Sequence, residues 1–200
     1  MITRSRDHEI TKKMKTILTI LTILSSFLAN LEQKTLQTDF TVAVAEEVNA
    51  PMNYPGFITI HGRLFTLRMF DLEAAYDGQT MYLYSANTDE LTLSNPTDQE
   101  LVQTNPFLFA QTMVGLCNTT ERTVSNGEET IITLTPKDQS AGINRFVLRV
   151  RNDDLIPLSL EIKEGKKTTS LKLTNPRFVV TEPKYTLEPE PTTFVNDMRF

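Results

Sequence analysis

The spacing of hydrophobic residues along the chain changes near residue 39. Between residues 17 and 31, apolar side chains recur three and four positions apart, which is the spacing of one face of an α-helix. These residues are Ile17, Ile20, Leu21, Leu24, Phe27, Leu28 and Leu31. The pattern predicts an N-terminal amphipathic helix within residues 17–38, which follows a polar leader formed by residues 1–16.

The same segment has a second interpretation as a secretory signal. Lys12, Lys13 and Lys15 precede the apolar run, and small residues follow it, which is the order found in signal peptides. Cleavage after Ala29 would place the bulky Phe27 where a signal peptide carries a small side chain. We favour the helix, which would overlap the signal segment, and we expect export to the periplasm.

After residue 39 apolar and polar residues alternate, which is typical of a β-strand with one buried face. Phe40, Val42 and Val44 form the first such set, and comparable runs follow at 57–61, 64–70, 81–84, 90–93, 130–135, 146–151, 158–163 and 170–173. Because charged residues occupy the opposite positions in several runs, we expect antiparallel strands with one solvated face. Turn sequences such as Asp77-Gly78 and Asn126-Gly127 separate them.

Two segments interrupt the strands. Capping signals in residues 95–100 predict one short helix, and Asn105-Pro106 predicts the start of another that carries Phe107 and Phe109. Beyond Asn175, several prolines predict an edge strand at 178–180 followed by an irregular arm. The series of short strands predicts a barrel or a curved sheet, organised as one domain over residues 17–200.

Composition and charge exclude several classes of function. Of the residues, 40% are hydrophobic and 22% are charged, as in a globular protein, and a net charge of −5 disfavours a nucleic-acid partner. A lone cysteine, Cys117, cannot form an intramolecular disulfide, and two histidines, His8 and His61, do not support a zinc site. Glycine-rich phosphate-binding motifs are absent, and the acidic residues cluster at predicted turns. We therefore expect no enzyme, no metal and no cofactor.

The remaining feature is an excess of apolar side chains on the alternating faces. A strongly curved sheet with few helices encloses a volume that these side chains need not fill. The residues predicted to line such a cavity are Phe40, Val42, Val44, Ile58, Ile60, Leu67, Met69, Met81, Leu83, Phe107, Phe109, Leu158 and Leu160. The alternative is a filled core, with the sheet surface acting as a protein-interaction module.

Several short motifs occur in an order that resembles the LolA family of periplasmic lipoprotein carriers, in its divergent Bacteroidetes-type form. They lie at Asp39-Phe40-Thr41, in the glycine and apolar pattern of 56–67, in the Asp-Gly to Tyr segment of 76–84, at 105–107, at 134–136 and at 196–199. The resemblance covers roughly Leu21 to Arg199. It implies a mainly β fold with a helical lid, in which an unclosed antiparallel β-barrel carries helices over its mouth.

The resemblance also implies a function and partners. A carrier of this family binds the acyl chains of lipoproteins, receives them from an inner-membrane transporter and, in some bacteria, delivers them to an outer-membrane acceptor. We expect a monomer that binds no nucleic acid. The family's gating arginine stands in an Arg-Pro pair, whereas this chain has His61-Gly62-Arg63 at that place. Arg63 is a candidate gating residue, but without the Arg-Pro pair the family's gating mechanism does not transfer to it.

Overall fold

The computed structural model describes residues 23–46, 49–105, 107–108, 114–138, 142–180 and 183–199. Residues 23–33 form helix α1, and Asp98–Thr104 form helix α2. The strands are β1 (Thr35–Glu46), β2 (Asn49–His61), β3 (Leu64–Met69), β4 (Leu72–Tyr76), β5 (Met81–Ser85), β6 (Glu90–Ser94), β7 (Cys117–Val124), β8 (Glu129–Pro136), β9 (Ile143–Arg151), β10 (Pro157–Glu164), β11 (Lys167–Val179) and β12 (Phe194–Asp197).

All of these strands belong to one curved sheet that does not close. Its order is β12-β6-β5-β4-β3-β2-β1-β11-β10-β9-β8-β7. The mainly β, unclosed architecture predicted from the sequence is thus confirmed. The prediction of antiparallel pairing holds for the neighbours from β6 to β7, but β12 runs parallel to β6. Strand β12 is connected to β11 by a long segment and not to β6 by a hairpin turn, so antiparallel pairing with β6 is not imposed.

Helix α1 ends earlier than the sequence pattern predicted. Thr35 to Thr38 are not helical but belong to β1, where Leu36 pairs with Ile60 of β2. The backbone N–H of Gly62 donates a hydrogen bond of 2.7 Å to the carbonyl of Leu31, so the β2–β3 turn satisfies one terminal carbonyl of the helix. The prediction of a helix up to residue 38 is wrong because the residues after 34 gain strand partners on both sides.

Helix α2 begins where the sequence predicted a helix start. Thr97 is its N-cap, and its hydroxyl oxygen accepts a hydrogen bond from the Glu100 backbone N–H at 3.3 Å. The Glu100 carboxylate in turn accepts from the Thr97 backbone N–H at 2.7 Å, which completes a capping box and lowers the pKa of Glu100. Local contacts thus stabilise the helix start.

Three strand assignments differ from the prediction. The edge strand predicted at 178–180 is the end of the longer strand β11, where Val179 pairs with Thr35 of β1 on one side, and the pairs of β11 with β10 stop at Lys172. Strand β4 was not predicted, since its Ala74 and Ala75 carry little strand propensity. Strand β12 was also missed, because it follows a proline-rich segment and pairs with a strand far away in the sequence.

The core lies on one side of the sheet, here called the inner face. Strand residues such as Ile58, Phe65 and Phe146 are fully buried there. Helix α1 adds Leu24, Phe27 and Leu31 to the same cluster, α2 adds Leu101, and the helical residues 107–108 add Phe107 and Leu108. The rings of Phe27 and Phe107 are 6.1 Å apart between centroids. The helices therefore pack against the inner face, and the opposite side is called the outer face.

The C-terminal segment lies along β6, at the end of the sheet opposite β7. The Met198 backbone N–H donates to the Leu93 carbonyl at 2.8 Å, and the Thr193 hydroxyl donates to Asp89 at the same distance. Leu91, which stands opposite Tyr84 in the β5–β6 pair, is only 2% exposed and lines a cavity of about 460 Å³ with residues of this segment. Packing of the arm thus buries apolar residues outside the main core.

Candidate apolar binding site

An apolar cavity of about 200 Å³ lies between the inner face of the sheet and the end of α2. Strands β1, β2, β3, β10 and β11 supply most of its wall. The lining residues are Phe40, Val42, Ile58, Leu67, Met69, Thr104, Leu160, Ile162, Thr169 and Leu171. No charged side chain is among them, so the cavity suits an uncharged apolar group.

Strand register brings the lining residues together from distant parts of the chain. Val42 of β1 pairs with Leu171 of β11, which pairs with Leu160 of β10. On the other side of β1, Ile58 of β2 pairs with Leu67 of β3. Because paired residues point to the same face, these alternating apolar positions form one continuous wall.

Two threonines interrupt the apolar lining without adding charge. The hydroxyl of Thr104 donates a 2.9 Å hydrogen bond to the carbonyl of Glu100 one helical turn earlier. Its hydroxyl proton is thus used within α2, and the side chain adds no unsatisfied donor to the wall. Asn105 follows directly and is fully buried, and its side-chain oxygen accepts from the Phe107 backbone N–H at 3.0 Å. This junction links the end of α2 to Phe107 in the core.

The predicted cavity residues fall into separate groups. Those that line the cavity are Phe40, Val42, Ile58, Leu67, Met69 and Leu160. Ile60, Met81 and Phe107 are buried in the packed core, Val44 is half-buried, and Leu83 is 43% exposed on the inner face. Phe109 lies outside the described residues.

Leu158 differs from its prediction because of a β-bulge. The β9–β10 register shifts between Pro157, which pairs with Val150, and Ser159, which pairs with Arg149. Leu158 is the additional residue at this shift, so the strict alternation that would place it beside Leu160 is broken. It lines a recess on the outer face together with Ser159 and not the apolar cavity.

Four lining residues were absent from the predicted set. Ile162 and Leu171 share the alternation of Leu160 and could have been included on that signal. Thr104 and Thr169 have no such signal, because a threonine in a helix or strand is not distinguished from its solvated counterparts by pattern alone.

Arg63 connects the β2–β3 turn to the start of α2. Its guanidinium forms an ion pair with the carboxylate of Asp98, the first residue of α2, and this hydrogen bond raises the pKa of Arg63. The two side chains are 54% and 80% exposed. Exposed pairs of this kind contribute about 0–1 kcal/mol to stability. The ion pair therefore links the β2–β3 turn to α2 but contributes little to the stability of their contact.

A larger recess of about 820 Å³ lies on the outer face of the sheet. Its lining includes Glu161, Lys172 and the ion pair between Arg149 and Glu129. Charged side chains would have to be desolvated to accept an apolar ligand there. The smaller apolar cavity is therefore the better candidate site despite its size.

The described part of the chain contains neither a membrane-spanning helix nor a cluster of metal-ligating side chains. None of its helices is long and apolar enough to cross a bilayer. No group of three histidine, cysteine or acidic side chains is placed there to hold a metal ion.

Comparison with known proteins places the fold among solved structures. No protein-family model and no curated protein matches the sequence. An uncharacterized conserved protein from Thermus thermophilus is 14% identical with a TM-score of 0.58, and the match covers 87% of this chain and 96% of that chain. At such identity the likeness shows the fold alone.

Two further solved structures are similar to this chain. A LolA superfamily protein from Nitrosomonas europaea is 11% identical with a TM-score of 0.39, over 79% of this chain and 94% of that chain. The lipoprotein LppX from Mycobacterium tuberculosis is 12% identical with a TM-score of 0.43, over the same shares of the two chains. The solved structures similar to this chain thus include one described as a LolA superfamily protein.

Proposed function

We propose that this protein binds acyl chains in the apolar cavity and carries lipoproteins through the periplasm. The observation that carries the proposal is the 200 Å³ cavity, whose wall is built from apolar side chains of β1, β2, β3, β10 and β11. An engineered apolar cavity of about 150 Å³ stays dry and binds small hydrocarbons. A cavity of this lining is expected to behave in the same way.

The energetics favour a hydrocarbon ligand. Each methylene that leaves water contributes about 0.8 kcal/mol. Loss of translational freedom and ordering of the chain offset part of this gain. A polar ligand would gain less, because eight of the ten lining side chains are apolar and cannot replace the hydrogen bonds that it makes with water.

In this proposal the helices act as a lid over the inner face. Helix α2 lies at the cavity through Thr104, and its other end contacts Arg63 through Asp98. Because that ion pair is exposed, it can break at little cost. We propose that Arg63 holds α2 in the closed position and releases it when a ligand enters.

The cellular part of the proposal rests on the resemblance alone. We propose that the protein is a periplasmic monomer, with residues 17–200 as its single domain. An inner-membrane lipoprotein-releasing transporter would load it, and an outer-membrane acceptor would unload it. The reaction is transfer of a bound molecule, without covalent chemistry.

A second candidate function is a protein-interaction module with a filled core. It is favoured by the size of the cavity, since ligand pockets commonly measure about 300–1,000 Å³ and this one holds about 200 Å³. In that case the surface of the sheet, and not the cavity, would contact the partner.

Uptake of an acyl probe distinguishes the two functions. Purified protein is stripped of co-purified lipid and titrated with a fluorescent fatty acid. The carrier function predicts saturable binding with one site per chain. Absence of saturable binding by folded protein would refute it in favour of the interaction module.

A further inference from the structure

Two exposed leucines stand on the inner face next to the cavity. Leu72 of β4 is 39% exposed and Leu83 of β5 is 43% exposed, whereas Ala74 on the same face is 3% exposed. Single exposed leucines are ordinary on protein surfaces. These two differ because they stand on the face that forms the core elsewhere in the sheet.

Strand register connects both leucines to the cavity wall. Leu67, which lines the cavity, pairs with Ala74, and Ala74 pairs with Leu83. In the adjacent row, the cavity residue Met69 pairs with Leu72. Paired side chains on one face lie within contact distance. Leu72, Ala74 and Leu83, here called the apolar strip, therefore continue the cavity wall outward.

The apolar strip ends at polar residues on the side away from the cavity. Beyond it, Leu83 pairs with Thr92 of β6, and Leu72 pairs with Ser85 of β5. From Leu67 on β3 to Leu83 on β5 the distance is two strand spacings, or about 10 Å. It is thus a bounded apolar path that is open to solvent at one end and continuous with the cavity at the other.

We infer that the apolar strip holds the distal part of a long, unbranched acyl chain whose first part fills the cavity. The inference rests on the proposed function and names its ligand class. A cavity of about 200 Å³ is small for a ligand pocket and accepts only part of a long chain. The remainder needs a second apolar surface, and the strip is the one that continues the wall formed by Leu67 and Met69.

A chain-length series tests the inference. Delipidated protein is titrated with octanoate, dodecanoate and palmitate, as wild type and as the double variant Leu72→Thr/Leu83→Thr. Threonine keeps the preference for strand and removes apolar surface. Leu116→Thr is the matched control, because Leu116 is 60% exposed and lies beside β7 at the opposite end of the sheet.

The expected result depends on ligand length. A fully buried methylene raises affinity about fourfold, and a half-covered one about twofold. The double variant should bind octanoate as the wild type does and bind palmitate roughly tenfold more weakly. Leu116→Thr should match the wild type for every chain length.

Each of the other outcomes contradicts the inference and points to a different explanation. If the double variant weakens all chain lengths equally, or none, the strip does not hold the distal chain and the cavity proposal stands. The same holds if Leu116→Thr shows an equal loss. If light scattering shows a wild-type dimer that the double variant dissociates, the strip is a contact between two copies. If the wild type binds no chain, the proposed function itself fails.

Discussion

The ring of Phe40 lies against the backbone of Gly56, its cross-strand neighbour. A β-carbon placed on Gly56 would stand 2.3 Å from Cζ of Phe40 and 2.7 Å from the carbonyl oxygen of Arg68. No side chain fits at those distances, so glycine is required by the close approach of the ring. Because Phe40 lines the cavity, Gly56 determines where one wall of the candidate site stands.

Replacing this glycine should disturb both stability and binding. In Gly56→Ala, the Phe40 ring must turn away, and the Arg68 carbonyl, which is backbone, has to shift as well. Overpacking of this kind costs about 1–3 kcal/mol in the free energy of unfolding, which urea denaturation measures. Gly115→Ala is the control, since an added β-carbon there meets nothing within 4 Å. Equal unfolding free energies for the two variants would contradict the packing described here.

The opposite faces of β10 provide a test of the cavity wall. Leu160 is 3% exposed and lines the cavity, whereas its neighbour Glu161 pairs with Arg145 on the outer face at 2.7 Å. Leu160→Glu should abolish binding of an acyl probe, because it places a carboxylate in apolar surroundings. Glu161→Leu removes only an exposed ion pair and should bind as the wild type does. Similar affinities of the two variants would mean that the wall has been misidentified.

Leu160→Glu can also unfold the protein. Two substitutions that add volume on opposite faces of β1 therefore give an independent test of probe binding. Val42 is half-buried and lines the cavity, and the adjacent Ala43 lines the outer recess. Val42→Phe should fill part of the 200 Å³ and weaken probe binding at least tenfold while the protein stays folded. Ala43→Phe should leave the affinity unchanged. The proposed site is wrong if both variants bind the probe like the wild type.

The ion pair between Arg63 and Asp98 should affect motion of α2 more than stability. Arg63→Gln removes an exposed contact, so the free energy of unfolding should fall by less than about 1 kcal/mol. Hydrogen exchange of the α2 amides should nevertheless become faster, and more so at low salt, where the wild-type pair is strongest. Arg145→Gln breaks a comparable pair on the outer face and should leave α2 unchanged. Unchanged exchange in Arg63→Gln would remove the proposed gating role.

Glu121 should make stability depend on pH. Burial raises the pKa of its carboxyl, and Oε2 has no hydrogen-bond partner among the described residues. A carboxyl with a raised pKa in the folded state favours folding when protonated, so the folded protein loses stability as pH rises through that pKa. Glu121→Gln should therefore raise the melting temperature at pH 7, and the gain should shrink at pH 4. Glu128→Gln, at an exposed neighbouring turn, serves as the control and should show no such difference.

Local chemistry explains the parts of the fold that could be predicted. Alternation of apolar and polar residues indicates which face of a strand is buried, and it correctly grouped Phe40 with Val42 and Ile58 with Ile60. The capping box of Thr97 and Glu100 marks a helix start through contacts three residues apart. Such signals need only neighbouring residues, and for that reason the amino-acid sequence contains them in full.

The order of the strands and the shape of the site depended on tertiary structure. No local pattern shows that β12 returns to β6, that the register shifts at Leu158, or that the Phe40 ring needs a glycine at position 56. The exposure of Leu83 could not be predicted either, because its position in the alternation is that of a core residue, and yet it is 43% exposed. The sequence by itself determined which side chains are apolar and in what local geometry they recur. Which of them became core, cavity wall or open surface was decided by contacts between residues far apart in the chain, since burial is a property of the packed whole and not of any segment.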